Sequence, residues 1–397
     1  MIGTSIRSDP MIRRLLSASL LALSAAACTT VSADALDTAP TSAPFAAYNA
    51  AMAGDVALPR APQGRPLDET ITLTRFAFGS CNHQSRSQHM WAQIAAKDPQ
   101  MFMLIGDNVY GDQRWNGGSG LTDLRSSYAE QASHPEFARF RGEIPMLTTW
   151  DDHDYGFNDG GASFAFKLLS EKIYETFWDS SAQVRSRPGV YESRTIGTEP
   201  GKRVQVILLD TRFFRSDLDR GPYSEDRPPL GPYSRANTGP DVTMLGAEQW
   251  AWLRQELAKP ADLRLVVSSI QVITDAHDYE AWETMPQERA RLYEMLGQRA
   301  GGGVLLLSGD RHAGGIYREQ VGGETMWELT SSSLNLAFND TASNTAREPD
   351  PKRVTDFISE ENFGTVDIDW GAKALTLRLL GNKGEVRAER TVNWTAR

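Results

Sequence analysis

Phe102-Met103-Leu104-Ile105-Gly106-Asp107-Asn108-Val109-Tyr110-Gly111-Asp112 runs apolar for four residues and then stops at a glycine and a carboxylate. A short apolar run bounded by such punctuation reads as a buried strand. The same shape recurs along the chain. Phe76-Ala77-Phe78-Gly79-Ser80 stops at Cys81-Asn82, and Met146-Leu147-Thr148-Thr149-Trp150 stops at Asp151-Asp152-His153-Asp154. Val206-Ile207-Leu208-Leu209 stops at Asp210-Thr211-Arg212, and Val304-Leu305-Leu306-Leu307-Ser308-Gly309 stops at Asp310-Arg311-His312. One Asp after one strand reads equally as a helix N-cap. Caps have no need of Cys, Tyr or His, so the joint pattern points to one convergent site. In α/β sheets ligands sit outside the carboxyl ends of the strands.

Outward from these runs, strands alternate with helical patterns. Strands are expected at 71–79, 101–105, 144–149, 204–209, 263–270 and 304–307, and helices at 88–96, 121–131, 164–177, 247–257 and 287–296. That alternation predicts an α/β domain. Beyond residue 316 the pattern becomes five meandering strands. Residues 217–240 form a long Pro/Gly-rich loop, and loops of that length are usually functional or mobile.

The residue types suggest metal chemistry. Carboxylates and imidazole suit a hard or borderline divalent cation, and a thiolate with a phenolate extends the choice to ferric iron. A phenol ligates only where a strongly polarising cation takes its proton. Gly106 allows a tight turn that presents Asp107 as a carboxylate able to bridge two cations. Two bridged metals can clamp the attacking and leaving oxygens of an in-line displacement. Taken singly, Tyr110 also reads as a packed aromatic and Cys81 as a small buried apolar residue.

The strings FGSCN, GDNVYGD, WDDHDYGFND, LLDTR, WETMPQERARL and LLSGDRHAG, in that order from Phe76 to Gly314, resemble the alkaline phosphatase D (PhoD-like) family of calcineurin-like metallophosphoesterases. The resemblance implies an αββα sandwich, two mixed sheets flanked by helices, acting as an alkaline phosphatase or phosphodiesterase. It implies iron(III) held by Cys81, Asp107, Tyr110 and His312. One or two calcium ions would be held by Asp107, Asp310 and either Asn158 or Asp152; other divalent metals remain open. A metal-bound hydroxide would attack phosphorus in line. Arg212 or Arg311 would stabilise charge on the equatorial oxygens. His153 would protonate the leaving alkoxide, the competing reading being a structural His bonded to a carboxylate. His83, His89, His134 and His277 show no ligand spacing and read as loop or surface residues, with His83 nearest the site.

Composition sets the remaining limits. The chain has 397 residues, 40% of them hydrophobic, and a formal net charge of -10. An acidic chain is a poor nucleic-acid binder, whereas the expected substrate is a small-molecule or lipid phosphate ester. Arg13-Arg14, the apolar run from Leu15 to Ala27 and Ala25-Ala26-Ala27-Cys28 read as a lipoprotein signal over 1–28, with an ordinary secretory signal as the alternative. A flexible linker is expected over 29–68 and the catalytic domain over 69–397. The protein is thus expected to be exported and periplasmic, with membrane association only through a lipid on Cys28. The absence of G-x-S-x-G argues against a serine hydrolase. Two alternatives remain: a phospholipase-D-like diesterase on lipid or polymer diesters, and a surface lipoprotein that binds phosphate without catalysis.

Overall fold

The computed structural model describes residues 45–221, 230–233 and 235–394. The signal segment with Cys28 and part of the 217–240 loop lie outside the described residues. Those described fall within one unit, Ala43–Arg397.

Twelve strands form two six-stranded sheets among the described residues. The first sheet is built on β1 (Arg75–Gly79), β2 (Phe102–Ile105) and β3 (Met146–Thr149), which run parallel. It continues antiparallel through β10 (Asn362–Asp369), β11 (Ala374–Gly381) and β12 (Val386–Asn393). The second sheet holds β5 (Val204–Leu208), β6 (Leu263–Val267), β7 (Gly303–Ser308) and β9 (Glu324–Ser331) in parallel. Its edges are the antiparallel β4 (Glu192–Ile196) and β8 (Gly314–Val321).

Alternation along each strand decides what lies on either side. Phe76, Phe78, Met103 and Ile105 face Val206, Leu208, Leu305 and Leu307 in the core between the sheets. The intervening Ala77, Phe102 and Leu104 pack outward. They meet α2 (Met90–Ala95), α3 (Thr122–Ser133), α4 (Pro135–Glu143) and α6 (Lys167–Trp178), which supply Trp91, Tyr128, Phe140 and Ile173. On the other side Ile207, Val266 and Leu306 pack under α7 (Gly246–Leu257) and α8 (Pro286–Gly297). Strands buried on both faces need helices on both faces, and the result is the expected αββα sandwich.

The folded unit begins earlier than the expected boundary at residue 69. α1 (Ala46–Ala53) buries Ala51, and Lys172 Nζ donates to the Ala51 carbonyl at 3.0 Å. Farther on, Ala61 N donates to Phe177 O and Arg65 N to Arg141 O. Ala-rich composition suggested a tether, but alanine is also the best helix former, and backbone bonds of this kind leave little composition signal. α4, the short α5 (Asp152–Tyr155) and α9 (Thr341–Arg347) were likewise unmarked by periodicity. Among the described residues no helix is long and apolar enough to cross a membrane.

Candidate active site

The carboxyl ends of the two sheets are stitched together. Thr149 Oγ1, closing β3, donates to Leu209 O beyond β5 at 2.9 Å, and Trp150 Nε1 donates to Asp210 Oδ1 at 2.8 Å. Ser80 and Gly309 approach so closely that a Cβ on Gly309 would lie 2.3 Å from Ser80 Oγ. A Cβ on Gly106 would lie 2.7 Å from Asp151 Cβ, which fixes glycine there. The strand-end residues therefore share one small volume.

Four of them turn out of their strands in a left-handed conformation: Cys81 at φ 58°, Asp107 at 49°, Asp310 at 67° and His312 at 51°. Such φ values are uncommon outside glycine, and strain of this kind concentrates at functional sites. Here it aims the side chains. Cys81 Sγ–H donates to Asp107 Oδ2 at 3.2 Å, Tyr110 OH donates to the same oxygen at 3.1 Å, and Tyr110 OH lies 3.4 Å from His312 Nε2. His312 Nδ1 donates to Leu336 O at 2.7 Å, which leaves Nε2 as the free ring nitrogen.

Three groups of donor atoms, each lying within 4.8 Å of one another, converge here: Cys81, Asp107 and His312; Asp107, Asp152 and His153; and Asp107, Asp151, Asp152 and Asp310. Asp107 belongs to all three. Its Oδ1 is enclosed and has no hydrogen-bond partner among the described residues, and neither has Asp151 Oδ2. Burial, reinforced by the surrounding anions, drives the Cys81 thiol, the Asp107 and Asp310 carboxyls and the Tyr110 phenol well above their ordinary ranges. A set of acids that cannot ionise together in a dry pocket, with orphaned oxygens at its centre, fits bound cations: metal charge deprotonates such ligands outright.

His153 stands at the edge of this cluster. Its Nδ1 pairs with Asp112 Oδ1 at 2.7 Å, and its ring packs 4.2 Å from that of Tyr110. Burial opposes its charged form, but the carboxylates of Asp152, Asp107 and Asp112 outweigh burial and hold its pKa well above the usual imidazole range.

The fold and this geometry have known counterparts. The chain matches the PhoD-like phosphatase family across residues 76–379. It belongs to that family. It is 24% identical over 326 residues to alkaline phosphatase D of Bacillus subtilis (strain 168), an alignment covering 72% of this chain and 54% of the relative. The chain thus spans about half the length of that curated relative. A solved structure described as the structure of PhoD superposes with a TM-score of 0.60 at 19% identity, covering 85% of this chain and 70% of that one. At that identity the likeness concerns the fold.

Within this PhoD-like frame, not every expected site residue reaches the cluster. Cys81, Asp107, Tyr110, Asp152, Asp310 and His312 are brought together, with His153 beside them. Asn158 is not. The left-handed Gly156 ends α5, and Asn158 is exposed beyond it, donating to Asp159 Oδ2 at 2.8 Å. Between the two alternatives, the carboxylate of Asp152 is the one inside. Both arginines are engaged by carboxylates: Arg212 by Asp151 of the acidic group, Arg311 outside the donor groups by Glu348. Arg212 is wholly buried and ion-paired with Asp151 and Glu280. Arg311 pairs with Glu348 at 2.5 Å and lies 4.4 Å over the Tyr279 ring. A guanidinium leaving water in an apolar fold is held by the nearest carboxylate, and proximity in sequence to a ligand does not show where a long side chain ends.

Other residues were missed. Asp151 joins the acidic group, Asp112 orients His153, and Ser269 Oγ donates to Asp151 Oδ1 at 2.7 Å. Asp112 and Asp151 stood in the motif strings and could have been proposed; Ser269 carried no signal. His277, expected in a loop or at the surface, lies in a loop but is buried, with Nε2 3.0 Å from Gln271 Oε1. His83 stacks on Tyr110 at 5.0 Å and borders the site.

Proposed function

We propose that the chain is a metal-dependent phosphoric ester hydrolase, an alkaline phosphatase or phosphodiesterase. The observation that carries this reading is Asp107, one carboxylate shared by three donor groups, with an enclosed oxygen that has no partner among the described residues. The thiol, phenol and imidazole of Cys81, Tyr110 and His312 suit iron(III), while the Asp107, Asp151, Asp152 and Asp310 carboxylates suit calcium or another hard divalent ion. Such ions, when bound, supply Lewis acidity at the phosphoryl oxygens and a water ionised near neutral pH.

The chain's own residues do the rest. The four left-handed residues hold the donors in place before substrate arrives. Asp112 fixes the His153 ring through Nδ1 and balances a charge on it, so His153 can pass a proton to the leaving alkoxide oxygen. Arg212 holds Asp151 in position from behind.

A cavity of about 350 Å³ opens beside the cluster, lined in part by Tyr279, Arg311, Phe338, Asn344 and Arg347. Phe338 lies 5.7 Å from the His312 ring. An organic arm of the ester would lie there, which favours a substrate larger than a bare phosphate monoester. Export and anchoring through Cys28 complete the reading and rest on the sequence of the N-terminal segment.

The test is release of p-nitrophenol from its mono- and bis-phosphate esters by the purified protein, with metal content measured in parallel. Turnover that disappears on chelation and returns with added cations supports the reading. Metal-free protein with undiminished turnover, or no turnover with iron and calcium present, overturns it.

A further inference from the structure

Six large apolar side chains are exposed among the described residues: Phe45, Phe157, Leu168, Tyr279, Phe338 and Val386. Val386 lies apart on the edge strand β12. Phe338 and Tyr279 line the cavity on one side of the cluster. On the other side, Phe157 N donates to Asp152 O at 3.1 Å, so this exposed ring hangs directly from the site's own loop. From Phe157 a run of aromatic rings leads away: to Trp115 at 5.8 Å, from Trp115 to Phe166 at 6.2 Å, and from Phe166 to Phe45 at 6.5 Å and Tyr48 at 6.0 Å. Leu168, exposed, follows two residues after Phe166.

A contiguous apolar patch beside a polar rim marks an interaction surface. Its composition is of a particular kind. Trp and Tyr, each with an apolar body and one polar atom, together with Phe and Leu, are the residues favoured at the boundary between lipid chains and headgroups. Where the chain enters the patch narrows the choice of occupant. Phe45 is both a member of the patch and the point from which the first 44 residues depart. That segment carries Arg13-Arg14, the apolar run from Leu15 to Ala27, and Cys28. Sixteen residues lie between Cys28 and Phe45, a reach of at most roughly 60 Å when fully extended. A lipid on Cys28 would tether the chain through a residue of this patch.

We propose that the aromatic patch formed by Phe45, Trp115, Phe157 and Phe166, with the exposed Leu168 next to Phe166 in sequence, is a docking surface for the interfacial region of a phospholipid bilayer. With a net charge of -10 the chain gains nothing from anionic headgroups, so docking is by apolar insertion and is insensitive to salt. The inference concerns orientation at a membrane and does not require turnover.

The test uses the full chain with phosphatidylcholine vesicles whose acyl chains carry bromine, a short-range quencher of Trp emission. Quenching is expected, and most of it should vanish in Trp115→Phe. A Phe45→Ser, Phe157→Ser, Leu168→Ser triple variant should lose the quenching and bind vesicles about tenfold more weakly or worse. Binding should be unchanged between roughly 0.05 and 0.5 M salt. The near-ultraviolet dichroism of the triple variant checks its packing, and Phe45→Ser alone gives a smaller change of the same sign if the triple does not fold. Vesicle-bound protein with Trp115 unquenched would show that only the N-terminal segment reaches the bilayer, and would overturn the proposal. So would binding that collapses with salt, or a full-length dimer that the triple variant converts to monomer.

Discussion

His153 Nδ1 lies 2.7 Å from Asp112 Oδ1, a contact that fixes both the tilt of the ring and the nitrogen that carries a proton toward the leaving group. Replacing Asp112 by Asn leaves the ring in place without the charge. Partners of this kind are worth about 10–100-fold when removed. Asp112→Asn should lower kcat within that range on an alkyl phosphate and much less on p-nitrophenyl phosphate, whose leaving group departs without a proton. Equal losses on both esters would remove the proton-donor role from His153.

The donor groups make separable demands on bound metal. Cys81 belongs to one group and Asp107 to all three. Cys81→Ser should therefore lose one ion and Asp107→Asn should lose every ion, as read by elemental analysis of the purified variants. Chelation should also lower the melting temperature of the wild-type protein, because ligands that bind only the folded state stabilise it. Asp107→Asn should be indifferent to the chelator.

Arg212 and Asp151 are both wholly buried, and Glu280 shares the same guanidinium. Breaking a buried pair from one side leaves charge without a counterion and destabilises by about 3–5 kcal/mol. Arg212→Met should fall in that range by urea unfolding, with a large loss of turnover because Asp151 is no longer held. A variant with wild-type stability would mean that the buried carboxylates have been neutralised by protons.

Glu171 on α6 gives a pH prediction away from the site. Burial, with Glu175 and Asp210 adding repulsion, pushes its carboxyl from an ordinary 4.5 up to about 7, against a hydrogen bond from Gly189 N and the charge of Lys167. The folded state therefore holds a proton that the unfolded state has released. Stability from this group is present below about 4.5, declines as pH rises through 7, and is gone above it. Glu171→Gln keeps an acceptor for Gly189 N. It should raise stability at pH 8 by roughly 1–2 kcal/mol, after allowance for partial exposure, and change little at pH 5. Thermal melts at the two pH values read the difference.

The α/β class was legible because strands buried on both faces produce unbroken apolar runs, as in Phe102–Ile105 and Val304–Leu307, whereas the αββα layering followed only from the resemblance of the motif strings. Cys81, Asp107 and Asp310 were legible for the same reason: each follows such a run directly. What stayed hidden depends on contacts between distant segments. Arg212 lies directly after an Asp-Thr strand end, but Glu280, far along the chain, decides where its guanidinium goes. Asn158 and Asp152 stand in one motif, and only the left-handed turn at Gly156 separates the inward residue from the outward one. α1 was read as a tether because its alanines pack through backbone and methyl contacts that no periodic pattern announces.

Left-handed backbone at Cys81 and His312 has a consequence for the protein's tolerance of change. Glycine would adopt these angles freely, whereas a side chain there costs about 1–2 kcal/mol. Cys81→Gly and His312→Gly, measured free of metal, should therefore unfold less easily than Cys81→Ala and His312→Ala, which lose the same side chain and keep the strain. Selection for stability alone therefore does little to preserve these two side chains. A sturdy homologue with glycine at either position is one in which the chemistry has already been given up.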